Sequence, residues 1–157
     1  MFYITKYLIF IVFILSAINL PLSIAETKKT PKYVGSDACK DCHEREYDSF
    51  MKYAKKSKSY SSIERVKKGL TEGEIKGCYV CHTTGYGKPN GFISVEKTPH
   101  LKDAGCEVCH GPGELHVKTK DIKFIKRRLT TKDCEVCHTS ERVIAFRYKP
   151  LIHGGAH

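Results

Sequence analysis

The sequence predicts a mainly α chain with long loops and little or no sheet. Three observations lead there. A Cys-x-x-Cys-His unit occurs four times in 157 residues. After the first unit, His43, Tyr47, Phe50, Met51 and Ala54 recur at helical spacing. The rest of the chain is broken by Gly and Pro, and it is too short to build a thick core without staples.

The four units are Cys39-Lys-Asp-Cys42-His43, Cys78-Tyr-Val-Cys81-His82, Cys106-Glu-Val-Cys109-His110 and Cys134-Glu-Val-Cys137-His138. This is the c-type haem attachment motif. Its two thiols add to the porphyrin vinyl groups, and the adjacent His binds the iron as proximal ligand. All 8 cysteines are used. Paired Cys-x-x-Cys units also make zinc ribbons, and an even cysteine count in an exported chain also suits disulfides. Neither needs a His after every second Cys. The expected cofactors are four haem c groups in a multihaem cytochrome c fold organised around them.

Residues 1–25 read as a cleaved Sec signal peptide. Lys6 precedes an apolar run over residues 7–20, Pro21 breaks it, and Ser23-Ile24-Ala25 offers small residues at the cleavage site. The run is short for a membrane span. The expected organisation is therefore a signal peptide over 1–25 and one tetrahaem cytochrome c domain over 26–157, in the periplasm or otherwise exported. Helices should be short and wrapped on haem, and the apoprotein should not fold alone.

Outside the leader, 26 Lys and Arg face 17 Asp and Glu, a formal charge of +9. Four haems bring about −2 each as propionates, and each ferric iron returns about +1. The loaded protein then sits near about +5 oxidised and about +1 reduced by that count. The basic sequence therefore does not argue for nucleic acid as a partner.

Along the chain, the first motif opens a helix. Ser61-Ser62-Ile63-Glu64 has capping-box form, so a short helix to about Leu70 is expected, with Gly73 and Gly77 closing the segment. Residues 83–92 form a turn-rich loop, and Gly111-Pro112-Gly113 breaks the chain after the third motif. Residues 118–132 are strongly basic, with Ile122, Phe124, Ile125 and Leu129 interleaved. Residues 146–153 look extended. The second, third and fourth motifs start 28 residues apart, a weak internal repeat.

Eight histidines divide into four proximal ones and His100, His116, His153 and His157. Beyond the leader Met51 is the only methionine, so six-coordinate haems here should be bis-His and low in potential. His116, His153 and His100 are the candidate distal ligands. His157 lies at the last position, where chains fray.

The chain resembles the tetrahaem cytochrome c-554 family. The resemblance rests on Tyr33-Val34-Gly35-Ser36-Asp37-Ala38 before Cys39, Thr83-Thr84-Gly85-Tyr86 after His82, Gly111-Pro112-Gly113 with His116, and His138-Thr139 with Phe146, Tyr148 and His153. It implies a periplasmic electron carrier with closely packed haems. It implies that His116 pairs with His43 and His153 with His138, and that the haem of His82 has an open distal position. One departure stands out. No His lies between His43 and His82, where the family carries a distal ligand for the third haem; Lys55-Lys56-Ser57-Lys58-Ser59 stands there instead. His100, His157, a lysine or nothing could fill that position, and His100 could serve either the second or the third haem.

The leading functional reading is electron transfer between redox protein partners, with no catalytic residue. One alternative is an enzyme reducing a small nitrogen oxide at a five-coordinate haem, with Tyr79, Tyr86 and His100 near in sequence. Another is a subunit of an extracellular cytochrome filament. Association with the membrane periphery is compatible with all three. The basic stretch reads first as a solvated face, and otherwise as a docking patch for an acidic redox partner or for propionates.

Overall fold

The computed structural model describes residues 30–139. The leader, residues 146–153, His153 and His157 lie outside them. Among the described residues the chain forms short helices and 3-10 turns and no strand. Helix α1 spans Glu44–Tyr53, α2 Tyr60–Val66, α3 Glu72–His82, α4 Glu107–His110, α5 Glu114–Thr119 and α6 Thr131–Glu135. Single 3-10 turns cover Ser36–Cys39, Lys55–Lys58, Lys67–Gly69, Pro99–Leu101 and Ile122–Phe124. The mainly helical expectation is met.

The core is small. Among the described residues the buried apolar side chains are Phe50, Ala54, Ile63, Phe92, Leu101 and Ala104. Helix α1 begins directly after His43 and buries Phe50, with Ala54 as its C-cap, as the periodicity predicts. Exposed Tyr53, Val80, Ile122 and Val136 remain apolar surface without protein cover, as expected of a chain that needs more than its own side chains to complete an interior.

Two local expectations are corrected. The capping box at Ser61 does not form. Helix α2 starts two residues earlier than that box would place it, and Ser61 sits inside it with its hydroxyl donating to Lys58 O at 2.7 Å. Ser59 stands at the N-cap, but its hydroxyl serves distant segments instead. Gly73 and Gly77 do not close the segment either. They lie within α3, which begins at a full capping box: Glu74 N donates to Thr71 Oγ1, and Thr71 N donates to Glu74 Oε2. That box offsets the glycine penalty in the first turns. As a result the second motif is helical throughout.

The turn-rich loop behaves as read. Thr84 N donates to Leu101 O and Phe92 N to Thr84 O, both at 2.9 Å, folding residues 84–92 onto the 3-10 turn at Pro99–Leu101. Gly85 has φ +73, and a Cβ there would lie 2.7 Å from the Tyr33 ring. After the third motif, Gly111 at φ +80 ends α4, and α5 starts after Gly113.

Candidate haem centres

Four residues, 104–107, gather the first three motifs. Ala104 N donates to Ser59 Oγ at 2.9 Å, Gly105 N to Thr84 Oγ1 at 2.9 Å and Cys106 N to Ser36 Oγ at 3.2 Å. Three successive amides are thus taken by hydroxyls from three other segments. The next side chain, Glu107, is buried. Its carboxylate accepts from Gly113 N at 2.6 Å, Gly35 N at 2.7 Å and Val34 N at 3.0 Å. Motif one enters through Val34-Gly35-Ser36, motif two through Thr84 and Ser59, and motif three is the hub itself. Sequence reading missed these hydroxyls and Glu107, because Ser, Thr and Glu carry no signal until their partners are placed.

The thiols of Cys39 and Cys106 hydrogen-bond to each other, the first cysteines of motifs one and three. That bond, with help from Ser36, pulls the Cys106 thiol down, and it pushes Cys39 up. Motifs three and four also approach one another. Burial raises the Cys109 and Cys134 thiols, and the Lys56 ammonium partly opposes both. None of the eight cysteines is in a disulfide. Among the described residues no group of three or more His, Cys, Asp or Glu side chains is arranged to hold an ion by itself.

The imidazoles are held in a consistent way. His82 Nδ1 donates to Ser59 O at 2.8 Å, His110 Nδ1 to Lys126 O at 2.6 Å and His116 Nδ1 to Asp121 O at 3.1 Å. A carbonyl can only accept, so Nδ1 carries the proton in each ring and Nε2 is the unprotonated nitrogen. That is the tautomer and orientation of a metal-ligating histidine with its outer partner in place. Lys126 N also donates to His110 O at 3.1 Å, so the basic segment clamps motif three by its backbone. Burial, with the Lys56 charge as the lesser cause, lowers the pKa of His138, which favours the neutral ring a ligand needs.

His43 and His116 face each other. Their ring centroids are 6.3 Å apart and their planes differ by 28°. An iron held between two Nε2 atoms at about 2 Å each places the ring centroids about 6 Å apart. The spacing therefore fits a haem iron that His43 and His116 would hold between them. His100 lies elsewhere. It is exposed, and its backbone oxygen and Cβ crowd the Cα of Gly35, beside motif one. Tyr79 and Tyr86 do meet, at 5.2 Å between centroids, in a cluster with Tyr60 and Phe92. Burial and a hydrogen bond with Tyr79 push the Tyr60 phenol up to about 12.

In the basic segment, Lys118 pairs with Glu114 at 2.7 Å, Lys123 with Asp121 at 2.8 Å, and Lys126 with Asp133. Arg127, Arg128 and Lys132 are exposed and have no acidic partner among the described residues. Lys120, with φ +59 at the end of α5, reaches Cys42 Sγ at 3.6 Å.

Comparison with known proteins agrees with this geometry. Residues 38–111 match the family model described as cytochrome c554 and c-prime. A curated relative, cytochrome c-554 of Nitrosomonas europaea, is 30% identical over 91 residues, covering 52% of this chain and 39% of the relative. The chain thus spans about two fifths of that relative's length. No solved structure matches significantly. The matched residues hold the first three attachment motifs and the hub that joins them, and over residues 38–111 the chain is similar to the cytochrome c-554 family.

Proposed function

We propose that this chain is an exported tetrahaem c-type cytochrome that passes electrons between redox protein partners. Likeness to the cytochrome c-554 family implies covalently bound haem c and redox partners in general. The finer reading adds four haems, periplasmic or other export through residues 1–25, and a single domain over 26–157. The observation that carries it is the His43–His116 pair, at a spacing that suits one iron between them, repeated in principle at three further motifs.

Haem c, when bound, supplies the one-electron iron couple. The chain's residues supply the rest. Cys39 and Cys42, Cys78 and Cys81, Cys106 and Cys109, and Cys134 and Cys137 would hold the four macrocycles. His43, His82, His110 and His138 would be proximal ligands, with His116 distal to His43 and His153 distal to His138. His100 would serve the second or third haem. The carbonyls of Ser59, Lys126 and Asp121 keep the protons of His82, His110 and His116 on Nδ1. Bis-His ligation would keep the potentials low. Arg127, Arg128 and Lys132 would receive an acidic partner beside motif three.

Intact mass of the exported protein tests the count: loss of residues 1–25 and the mass of four haems is expected. Electron paramagnetic resonance during a redox titration then counts the low-spin bis-His irons. Fewer than four haems, or a retained leader, would sink the corresponding part of the reading.

A further inference from the structure

We propose that Glu107 is the positioning residue that keeps His116 on the iron bound by motif one. The inference rests on the ligand pairing of His43 with His116 proposed above. Glu107 lies inside motif three, yet it touches both routes to that pair. Its carboxylate takes the amide of Gly113, the N-cap residue of α5, and α5 carries His116. It also takes the amides of Val34 and Gly35, which lead directly into Ser36–Cys39 and motif one. A second tie runs alongside: Lys32 N donates to Glu114 Oε2 at 3.0 Å, and Glu114 N donates to Lys32 O at 3.2 Å. Both ends of the 6.3 Å pair therefore trace back to one carboxylate.

The chain contains its own control. Motif four has the same Cys-Glu-Val-Cys-His sequence, and there Glu135 is exposed. The attachment motif itself does not need a glutamate in a buried cradle; only the copy beside His116 has one. The chemistry of the cradle is also selective for a carboxylate. Oε1 accepts from Gly113 and Val34, and Oε2 from Gly35 and Val34. An ionised carboxyl accepts at both oxygens. Glutamine is the same shape, but its amide nitrogen would face an N–H donor whichever way it turned. One amide would be repelled and left buried without an acceptor. The start of α5 or the motif-one leader then shifts, and the spacing that two iron–nitrogen bonds require is lost.

The experiment uses the full exported chain with its haems, comparing Glu107→Gln, Glu135→Gln and His116→Ala by electron paramagnetic resonance and by cyanide binding. His116→Ala opens one haem more than the parent has, seen as an added high-spin, cyanide-binding iron. Glu107→Gln opens the same haem in part of the population, and the double variant opens no second one. Glu135→Gln matches the parent. A Glu107→Gln protein with no more high-spin, cyanide-binding iron than the parent overturns the inference. So does one that opens a different haem, adds a second open haem to His116→Ala, or behaves like Glu135→Gln. If Glu107→Gln does not accumulate, Glu107→Asp, which keeps the charge and shortens the reach, is judged by the same outcomes. If His116→Ala itself opens no haem, the ligand pairing fails first, a result distinct from failure of the Glu107 role.

Discussion

Ser59 holds His82 at two points. Its carbonyl accepts the ring Nδ1–H at 2.8 Å, and its hydroxyl donates to the His82 carbonyl at 2.9 Å. The same hydroxyl accepts from Ala104 N at 2.9 Å, tying motif two to the hub. Ser59→Ala removes the hydroxyl and keeps the carbonyl. The buried Ala104 amide then lacks an acceptor, a loss of about 1–3 kcal/mol. Denaturant unfolding of the loaded protein should show that loss while the optical spectrum stays unchanged. A spectral change without a stability loss would assign the hydroxyl a different role.

Glycines in two settings should respond in opposite directions. Gly91 is buried, and a Cβ there would collide with the Gly85 carbonyl. Gly91→Ala is expected to destabilise by about 1–3 kcal/mol, as overpacking does. Gly73 is exposed in α3 with open space around it. Gly73→Ala should stabilise by up to about 1 kcal/mol. Thermal melts of the two variants check both signs, and equal effects would contradict the packing seen at Gly91.

Acid should loosen the start of α6. The Lys126 ammonium, then the Thr130 amide, hold the Asp133 carboxyl down to about 2. A carboxyl whose folded value lies below its unfolded value of about 3.9 contributes stability above that pH. The contribution fades as pH falls from about 4 through the folded value. Far-ultraviolet dichroism during acid titration should show helix loss in that window for the parent. Asp133→Asn should lack that step and begin with less helix at neutral pH. An unchanged acid profile in the variant would remove Asp133 from the account.

Docking through the basic segment should be salt-sensitive. Three of its lysines are neutralised by Glu114, Asp121 and Asp133 and Lys120 reaches Cys42, which leaves Arg127, Arg128 and Lys132 available. Reduction by an acidic flavodoxin, followed by stopped flow, should slow by about tenfold or more from low salt to a few hundred millimolar. Arg127→Ala with Arg128→Ala should remove most of that dependence without moving the midpoint potentials. Potentials that shift while the salt dependence stays would mean that these cations pair with propionates instead.

The sequence was most legible where chemistry is local. The attachment motifs, the helix opening after His43 and the break at Gly111 follow from a few adjacent residues each. The failures share a cause. Ser61 looked like a cap because a capping box is read from four residues, but the competing demand on Ser59 comes from His82 and Ala104, far along the chain. Gly73 and Gly77 looked like breakers because the box at Thr71 and Glu74 was overlooked. Glu107 and Glu135 have identical neighbours within their motifs. Residues 34 and 35, more than seventy positions upstream, together with Gly113 make one a buried clamp.

The carbonyls behind His82, His110 and His116 also bear on speed. Electron hopping is slowed when ligands must swing as an iron changes oxidation state. An imidazole whose outer nitrogen is already bonded to fixed backbone has little freedom to do so. Preorganised dipoles keep that reorganisation energy low. Among the described residues few apolar side chains are buried, so stiffness is concentrated at the rings, where under the proposed function each electron would arrive and leave.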